Sequence, residues 1–149
     1  SYTPYVVETS IGLDRMFLAV FSNSLIEEEL ENGTTRTVLK LPAVLAPFKA
    51  AILPLVKKDG LPEVARKIME DLKWDYNVYY DEKDAVGKRY RRQDAAGTPF
   101  CITVDHDTLV DHCVTIRHRD TMDQKRVAIV DLKEIIQAEV AVKTWLQKM

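Results

Sequence analysis

The sequence predicts an α/β fold in which a mixed β-sheet is flanked by helices. A strand–helix–strand pattern comes first: an unbroken apolar run at residues 50–56, a helical apolar stripe ending at Leu72, and a strand at residues 76–80. Strands joined by such a crossover helix pair in parallel. Farther along the chain, alternating runs at residues 100–105 and 114–116 predict an antiparallel hairpin. Parallel and antiparallel pairs together make the predicted sheet mixed.

Length and composition limit the classes of protein that this chain can represent. Its 149 residues, 46% hydrophobic and 30% charged, can bury one core, which fits a compact domain with a small attachment. The net charge of −2 argues against a general polyanion binder, so nucleic-acid contact would need a local patch. No apolar run is long enough to span a membrane, and the first residues lack the layout of a signal peptide. Two cysteines without paired spacing indicate a reducing compartment, so we expect a cytoplasmic protein with no membrane partner.

The N-terminal residues are interpreted as a strand followed by a helix. Residues 5–7 are aromatic and β-branched, which predicts a short strand. From Leu13 the apolar residues follow helical spacing, and the predicted helix fades in the acidic tract 27–31 before ending at the Asn-Gly pair 32–33. A strand and a helix without a second strand do not complete a layer. This unit therefore looks like the end of a larger domain, and a new unit is expected to begin near residue 41.

The most basic stretch of the chain, residues 87–100, carries four cations around Tyr90. It predicts a helix that ends at Gly97 and turns at Pro99 into a strand. Cations with an interleaved aromatic ring are typical of nucleic-acid binding, because the charges neutralise phosphate and the ring can stack on a base. The alternative for each cation is a solvated face or an ion pair with Asp84 or Asp94, and Tyr90 is expected to be a packed ring and not a stacking platform. Helical spacing separates Lys88, Arg91 and Arg92 on one face from Arg89 and Gln93 on another, so all four cations cannot contact one RNA strand.

The remaining residues give structural predictions. Residues 125–129 are expected to add an edge strand, and Asp131 is expected to cap a last helix whose apolar face reaches Leu146. Cys101 and Cys113 are interpreted as small core or half-buried residues. We interpret Trp74 and Trp145 as packing anchors. His106, His112 and His118 lie at even spacing across a loop and a strand, which does not suit convergent ligands, so no metal site is predicted.

Residues 6–15 resemble motif 3 of class II aminoacyl-tRNA synthetases, in the form found in dimeric glycyl-tRNA synthetases. Thr9 stands where the family usually has proline. The resemblance implies that Glu8 binds the amino group of glycine and that Ser10 shapes the small substrate pocket. It also implies that Arg15 is the catalytic, ATP-binding arginine of the motif, and a planar guanidinium is well suited to hold phosphate.

The resemblance continues in order along most of the chain. The matching blocks are residues 36–42, 45–47, 53–55, 58–62, 80–81, 86–101, 114–117 and 119–122. It implies two parts: residues 1–40 as the end of the class II catalytic core, and residues 41–149 as an anticodon-binding domain of the class II type. The Arg-Arg-Gln-Asp block at residues 91–94, together with Glu8 and Ser10, favours the glycyl member.

What the resemblance implies about function follows from the family. The full-length enzyme would be a glycine–tRNA ligase acting in translation, with glycine, ATP, Mg²⁺ and tRNA(Gly) as its reactants and partners, and would be a homodimer. The part represented here is expected to bind tRNA through Lys88, Arg89, Arg92 and Arg117, to need no cofactor, and not to catalyse.

Two alternatives remain open from the sequence. One is a non-enzymatic accessory protein with the same fold, such as the accessory subunit of a mitochondrial DNA polymerase. The other is a different class II synthetase, prolyl or threonyl. Glu8, Ser10 and Arg15 occurring together argue against the accessory protein, and binding to anticodon stem-loops with changed cytosines would decide between the synthetases.

Overall fold

The computed structural model describes residues 1–30 and 33–147. Its helices and strands alternate along most of the chain. In order they are α1 (Leu13–Ser24), β1 (Leu25–Glu29), β2 (Thr35–Leu39), β3 (Ala50–Pro54), α2 (Leu61–Leu72), β4 (Val78–Tyr80), α3 (Val86–Ala96), β5 (Phe100–Val104), α4 (Thr108–Asp111), β6 (Cys113–His118), β7 (Gln124–Ala128), α5 (Leu132–Val140) and α6 (Val142–Gln147). Within the described residues no helix is long and apolar enough to cross a membrane.

Five strands form one mixed sheet in the order β4-β3-β5-β6-β7. Strand β3 pairs in parallel with both β4 and β5, whereas β6 is antiparallel to β5 and to β7. The predicted mixed sheet, its strand–helix–strand unit and its hairpin are therefore confirmed, with β7 at the predicted edge.

The main core lies on one face of this sheet, which we call the first face. Apolar side chains of β3, β5 and β6 meet the buried stripes of α2 and α5 there. Fully or nearly fully buried members include Ile52, Ile102, Val104 and Val114 from the strands, Leu61, Ala65 and Ile68 from α2, and Leu132 and Ile136 from α5. Burial of these side chains is the largest stabilising contribution to the fold.

Helix α3 covers the opposite, second face of the sheet. Tyr90 of α3 packs there against Ala51, Leu53 and Cys101, so the predicted packed ring is confirmed. All five residues of β5 are buried, including Thr103. The alternation of apolar and polar residues at 100–105 predicts one buried and one polar face, and this prediction is wrong because α3 removes the second face from water.

The N-terminal unit differs most from its prediction. Helix α1 stops at Ser24, and the acidic tract that was expected to be helical begins as strand β1, paired antiparallel with β2. Pairing with β2 supplies the backbone partners that favour a strand over a helix. Glu31 and Asn32, where the helix was expected to end, lie outside the described residues. The predicted strand at residues 5–7 is not formed, because residues 1–12 lie outside every helix and strand and pair with no described strand.

The C-terminal helix is also divided. Ala141 is extended, with ψ 128°, so α5 ends at Val140 and α6 begins at Val142. The Asp131 side chain makes no capping bond to the described backbone, and the expected cap is wrong. Trp74 is 83% exposed, which contradicts its interpretation as a packing anchor.

Candidate nucleic-acid interface

The basic stretch forms helix α3, whose end is fixed by Gly97. Gly97 adopts φ +80°, a left-handed conformation that glycine reaches without steric cost. Its N–H donates to the Asp94 carbonyl at 3.2 Å, and the Thr98 N–H donates to the Gln93 carbonyl at 3.0 Å. These bonds supply donors to carbonyl groups that would otherwise have no hydrogen-bond partner at the helix terminus. The predicted helix ending in glycine is therefore confirmed.

Lys88 and Arg92 lie on the exposed outer face of α3. Arg92 donates to Asp81 Oδ2 at 2.7 Å and to Asp84 Oδ2 at 2.9 Å. The hydrogen bond from Arg92 is the main reason that the pKa of Asp84 lies below its usual range, and nearby Lys88 adds to the effect. Among the described residues, the side chain of Lys88 makes no hydrogen bond or contact ion pair. Its ammonium group is therefore the most available cation of this helix.

Arg89 follows Lys88 but is only 2% exposed. Its Nη1 donates to the carbonyls of Pro54 at 2.6 Å and Asp81 at 3.2 Å, and its Nη2 donates to the Leu55 carbonyl at 3.2 Å. These carbonyls lie at the carboxyl ends of β3 and β4. Because the crossover helices of neighbouring strands lie on opposite faces here, this is the crevice where open α/β sheets commonly bind ligands. In this chain the guanidinium of Arg89 occupies it.

Arg117 of β6 is also buried, beneath α3. It donates two parallel hydrogen bonds to the Asp94 carboxylate, Nη1 to Oδ1 at 2.8 Å and Nη2 to Oδ2 at 3.0 Å. Its guanidinium carbon lies 4.9 Å from the centre of the Tyr90 ring. Burial alone would lower the pKa of Arg117, but the bonds to Asp94 raise it above its usual value. The group is thus charged and fully engaged within the protein.

The four predicted tRNA-binding cations are therefore separated by the structure into two pairs. Lys88 and Arg92 lie at the surface, and Arg89 and Arg117 are buried with intramolecular partners. Their role in binding tRNA stays a prediction for all four. The geometry assigns Arg89 and Arg117 a structural task that sequence spacing did not show.

Further cations surround the start of α3 that the sequence prediction did not single out. Lys57 and Lys58 follow β3, and Lys83 precedes α3, all of them exposed. Lys83 lies close enough to Asp84 to help lower its pKa, as a minor effect beside that of Arg92. The available signal was topological, since residues that follow parallel strands gather at one sheet edge. We call this set, with Lys88 and Arg92, the carboxyl-edge cations.

The carboxyl-edge cations do not form a purely positive surface. Acidic side chains follow the same strands: Asp59, Asp81, Glu82, Asp84, Asp105 and Asp107. His106 Nε2 lies 3.1 Å from Asp59 Oδ2, and Arg126 of β7 is paired with Asp105. A mixed edge of this kind favours selective contacts over general attraction to polyanions.

The three residues predicted for the substrate sites lie far from this edge in the chain. Glu8 and Ser10 belong to the exposed segment that precedes α1, and Arg15 lies in the first turn of α1 with its side chain exposed. A Cβ at Gly12 would stand 3.6 Å from Cδ of Arg15, so the arginine stem passes over this glycine. Their predicted roles are not tested by the geometry of this chain.

A family model described as "Anticodon binding domain" matches residues 49–139. The chain belongs to this anticodon-binding domain family. The match covers every strand of the five-stranded sheet together with α2, α3 and almost all of α5.

Curated relatives extend the similarity beyond the anticodon-binding domain. The chain is 52% identical over 139 residues to a glycine–tRNA ligase of Borrelia hermsii, which covers 93% of this chain and 31% of that protein. It is 56% identical over 147 residues to a glycine–tRNA ligase of Rhodopirellula baltica, with 96% and 27% covered. It is 56% identical over 140 residues to that of Clostridium perfringens, with 91% and 30% covered. The predicted resemblance to glycyl-tRNA synthetases is confirmed, and the chain spans about a third or less of these relatives.

Solved structures show the same fold at lower identity. The RNA-binding domain of threonyl-tRNA synthetase from Cryptosporidium parvum superposes with a TM-score of 0.61 at 22% identity, covering 67% of this chain and 25% of that one. Prolyl-tRNA synthetase from the same organism gives 0.63 at 17% identity, covering 82% and 32%. At these identities the likeness concerns the fold of the anticodon-binding domain alone.

The histidines of the anticodon-binding domain do not converge. His106 faces Asp59, whereas His118 packs edge-on against Phe100 with ring centres 5.5 Å apart. Within residues 1–30 and 33–147, no group of three or more His, Cys, Asp or Glu side chains could hold a metal ion. Cys101 is buried and Cys113 half-buried, as predicted.

Proposed function

We propose that this chain is the C-terminal, anticodon-binding part of a cytoplasmic glycine–tRNA ligase and that it binds tRNA(Gly). The observation that carries the proposal is 50–56% identity to glycine–tRNA ligases over more than nine tenths of the chain. Prolyl and threonyl synthetases share the fold at 17–22% identity, which is far weaker support for the other synthetase class.

The proposed RNA surface is formed by the carboxyl-edge cations. Lys88 supplies an exposed ammonium group for a phosphate of the anticodon loop, and an unpaired lysine gains most from such a contact. Arg92 contacts RNA by exchanging its exposed bond to Asp84 for a phosphate or a base edge, while Asp81 still holds it. Arg89 and Arg117 act indirectly, by fixing α3 on the sheet.

The substrate-site residues complete their sites only with the rest of the ligase. Glu8 and Ser10 serve the glycine site, and Arg15 holds ATP phosphate. Exposed apolar side chains in the same region, including Val7, Leu13 and Phe17, fit a surface covered by another part of the enzyme. Mg²⁺ ligands, the other adenylate contacts and the homodimer interface are assigned to that other part.

Direct binding tests the proposal. Fluorescence anisotropy of the chain with an anticodon stem-loop of tRNA(Gly) should show saturable binding that weakens when the anticodon cytosines are changed. Equal binding of the changed stem-loops would contradict the glycyl assignment, and absence of binding would contradict the RNA-binding role.

Two charge-reversal variants, one on α3 and one on α2 across the sheet, make the binding test specific. Lys88→Glu should weaken binding and lower the slope of log affinity against log salt by about one, because one phosphate contact is lost. Lys67→Glu is the matched control and should leave binding unchanged. Lys67 is an exposed lysine of α2, the helix that packs on the first face of the sheet. Equal effects of the two variants would show that only net charge matters.

Catalysis is tested separately. The chain alone should show no glycine-dependent ATP–pyrophosphate exchange, because the other substrate contacts are proposed to lie elsewhere in the ligase. Measurable exchange would overturn that division of the enzyme.

A further inference from the structure

One side of α3 holds the β1–β2 hairpin, and it does so at regular intervals. Two α3 residues and the glycine that ends the helix, spaced three residues apart, contact three residues of β2. The pairs are Arg91 Nη1 to the Thr35 carbonyl at 2.9 Å, Asp94 Oδ2 to Arg36 Nη1 at 3.1 Å, and Gly97, whose added Cβ would stand 3.1 Å from the Leu39 carbonyl. The hairpin is thus a further layer, packed on α3.

Asp94 is the centre of this contact. Its carboxylate is 1% exposed and accepts three charge-assisted bonds, two from Arg117 of the sheet and one from Arg36 of the hairpin. A buried carboxylate between two arginines is strongly dependent on both, because each guanidinium offsets the cost of burying its charge. Asp94 therefore joins three elements, α3, β6 and β2.

Arg36 ties the hairpin to the protein at further points. It is 3% exposed, its Nε donates to Glu28 of β1 at 2.8 Å, and its Nη1 also donates to the Arg119 carbonyl at 3.0 Å. Glu28 has a lowered pKa, first because of Lys40 and then because of Arg36. A single side chain thus connects both hairpin strands to the loop after β6.

The hairpin in turn carries α1 without a connecting loop. Helix α1 ends at Ser24, β1 begins at Leu25, and the Lys40 N–H donates to the Ser24 carbonyl at 2.7 Å. Arg15 lies on the first turn of the same helix, on the order of 14 Å along its axis from Ser24. The direction in which α1 presents Arg15 is therefore fixed by how the hairpin sits on α3.

We propose that Arg36 and Asp94 are positioning residues that set the orientation of the ATP-site arm, residues 1–24, relative to the RNA-binding surface. This inference rests on the proposed function. A tRNA held at the carboxyl edge must also deliver its 3′ end to the site that Arg15 serves, so a fixed angle between the two parts places the reacting groups. Misplacement of about 1 Å can lower a rate by on the order of a hundredfold.

The proposal also assigns a role to the Arg-Arg-Gln-Asp block. Arg91 and Asp94 hold the hairpin, Arg92 bonds Asp81, and the Gln93 side chain accepts a bond from Thr98 at 2.8 Å. The block therefore shapes α3 and its contacts, and only Arg92 among its members also belongs to the proposed RNA surface.

Arg36→Met is the variant that tests the proposal. It removes the bonds of Arg36 to Asp94, Glu28 and the Arg119 carbonyl, while Asp94 keeps both bonds to Arg117, so the α3–sheet contact persists. Arg36→Lys keeps a charge opposite Asp94 and serves as partial rescue. Asp75→Asn is the matched control, because it breaks an exposed ion pair with Lys133, outside the hairpin contact.

Four measurements on these variants test the proposal. Amide hydrogen exchange of the chain should quicken at least tenfold in β1 and β2 with Arg36→Met, and stay unchanged in β3 and β5. In the full-length ligase, kcat/KM for tRNA charging should fall about tenfold or more through kcat, while glycine-dependent ATP–pyrophosphate exchange stays within twofold. The affinity of the Arg36→Met chain for tRNA should also stay within twofold of that of the unaltered chain. The charging rate of Arg36→Lys should lie between those of the unaltered ligase and Arg36→Met.

Each other outcome overturns the inference in a recognisable way. Unchanged hairpin exchange would show that Arg36 does not hold the hairpin, and unchanged charging would show that its seating is irrelevant to the reaction. An equal fall in pyrophosphate exchange would indicate general damage, and an equal fall in tRNA binding would make Arg36 an RNA contact. If the unaltered chain fails to bind tRNA, it is the proposed function that fails.

Discussion

Lys88 and Arg89 are neighbours in the sequence and both carry a positive charge, yet they lie in opposite environments. The Lys88 side chain is exposed at the start of α3 without a hydrogen-bond or ion-pair partner among the described residues, whereas Arg89 is 2% exposed and donates to three carbonyls. Arg92 and Arg117 repeat the contrast, since both pair with aspartate but the Arg92 side chain is 42% exposed and that of Arg117 is 6% exposed. The inner cations stabilise the fold, and the outer ones are available to a partner.

The difference teaches that charge clustering in a sequence does not by itself measure a binding surface. Removing one partner of a buried, hydrogen-bonded ion pair lowers stability strongly, because the other charge stays buried without a counter-charge. An exposed pair contributes about 1 kcal/mol or less to stability. Substitutions of inner and outer groups should therefore separate stability from RNA binding.

Asp94→Asn should have the largest effect on stability. It leaves the guanidinium group of Arg117 buried with a neutral partner and removes one of the two carboxylates that Arg36 contacts, so the free energy of unfolding should fall by about 3–5 kcal/mol. Urea unfolding of the chain measures it, with Asp75→Asn expected to cost about 1 kcal/mol or less. A similar small loss for both variants would mean that the inner network contributes no more than a surface pair.

Cys101 provides an independent measurement on the same variant. It packs beside Tyr90 on the second face, and burial is the main cause that raises its pKa to about 12. In the unaltered chain iodoacetamide near neutral pH should modify the half-buried Cys113 and spare Cys101. Asp94→Asn should quicken modification of Cys101 by loosening α3, and an unchanged rate would contradict that loosening.

Arg89→Met should have the next largest effect. The carbonyls of Pro54, Leu55 and Asp81 would lose their donor in a buried crevice, lowering the free energy of unfolding by about 2–4 kcal/mol. Thermal and urea unfolding measure this loss. Under conditions where the variant is folded, its tRNA affinity should stay close to that of the unaltered chain, and selective loss of affinity without loss of stability would identify Arg89 as an RNA contact.

Gly97→Ala should have a smaller effect, on the order of 1–2 kcal/mol. An alanine would be held at φ +80°, and its Cβ would lie tightly against the Leu39 carbonyl. Gly60→Ala is the control, since that glycine has a similar φ of +77° with nothing within 4 Å. If both substitutions cost the same in urea unfolding, the backbone angle accounts for the loss and the contact with the hairpin adds nothing.

Lys88→Glu should have the smallest effect on stability, within about 0.5 kcal/mol, because the side chain is exposed and unpaired among the described residues. It should nevertheless weaken tRNA binding, the reverse of the behaviour of Arg89→Met. Urea unfolding and fluorescence anisotropy, measured on the same preparations, check the predicted stability and the predicted loss of tRNA binding. Destabilisation with intact binding would reverse the assignment of inner and outer cations.

The sequence by itself determined the periodic parts of this protein. The apolar run of β3, the stripe of α2 and the Gly97 helix end are local patterns, and each formed where predicted. Helical spacing also grouped Lys88, Arg91 and Arg92 apart from Arg89 and Gln93, and the structure keeps that grouping. The order of matching blocks was enough to identify the family.

Only the tertiary structure decided which group faces inward and what the N-terminal unit becomes. Spacing gives the angle between side chains around a helix but not the surface that covers them, and Asp94 finds Arg36 and Arg117 at sequence separations of 58 and 23 residues. The tract at residues 25–29 is a strand because β2 supplies its hydrogen-bond partners, whereas residues 5–7 lack such a partner among the described strands. Both outcomes depend on contacts between distant segments, and such contacts exist only after the chain has folded.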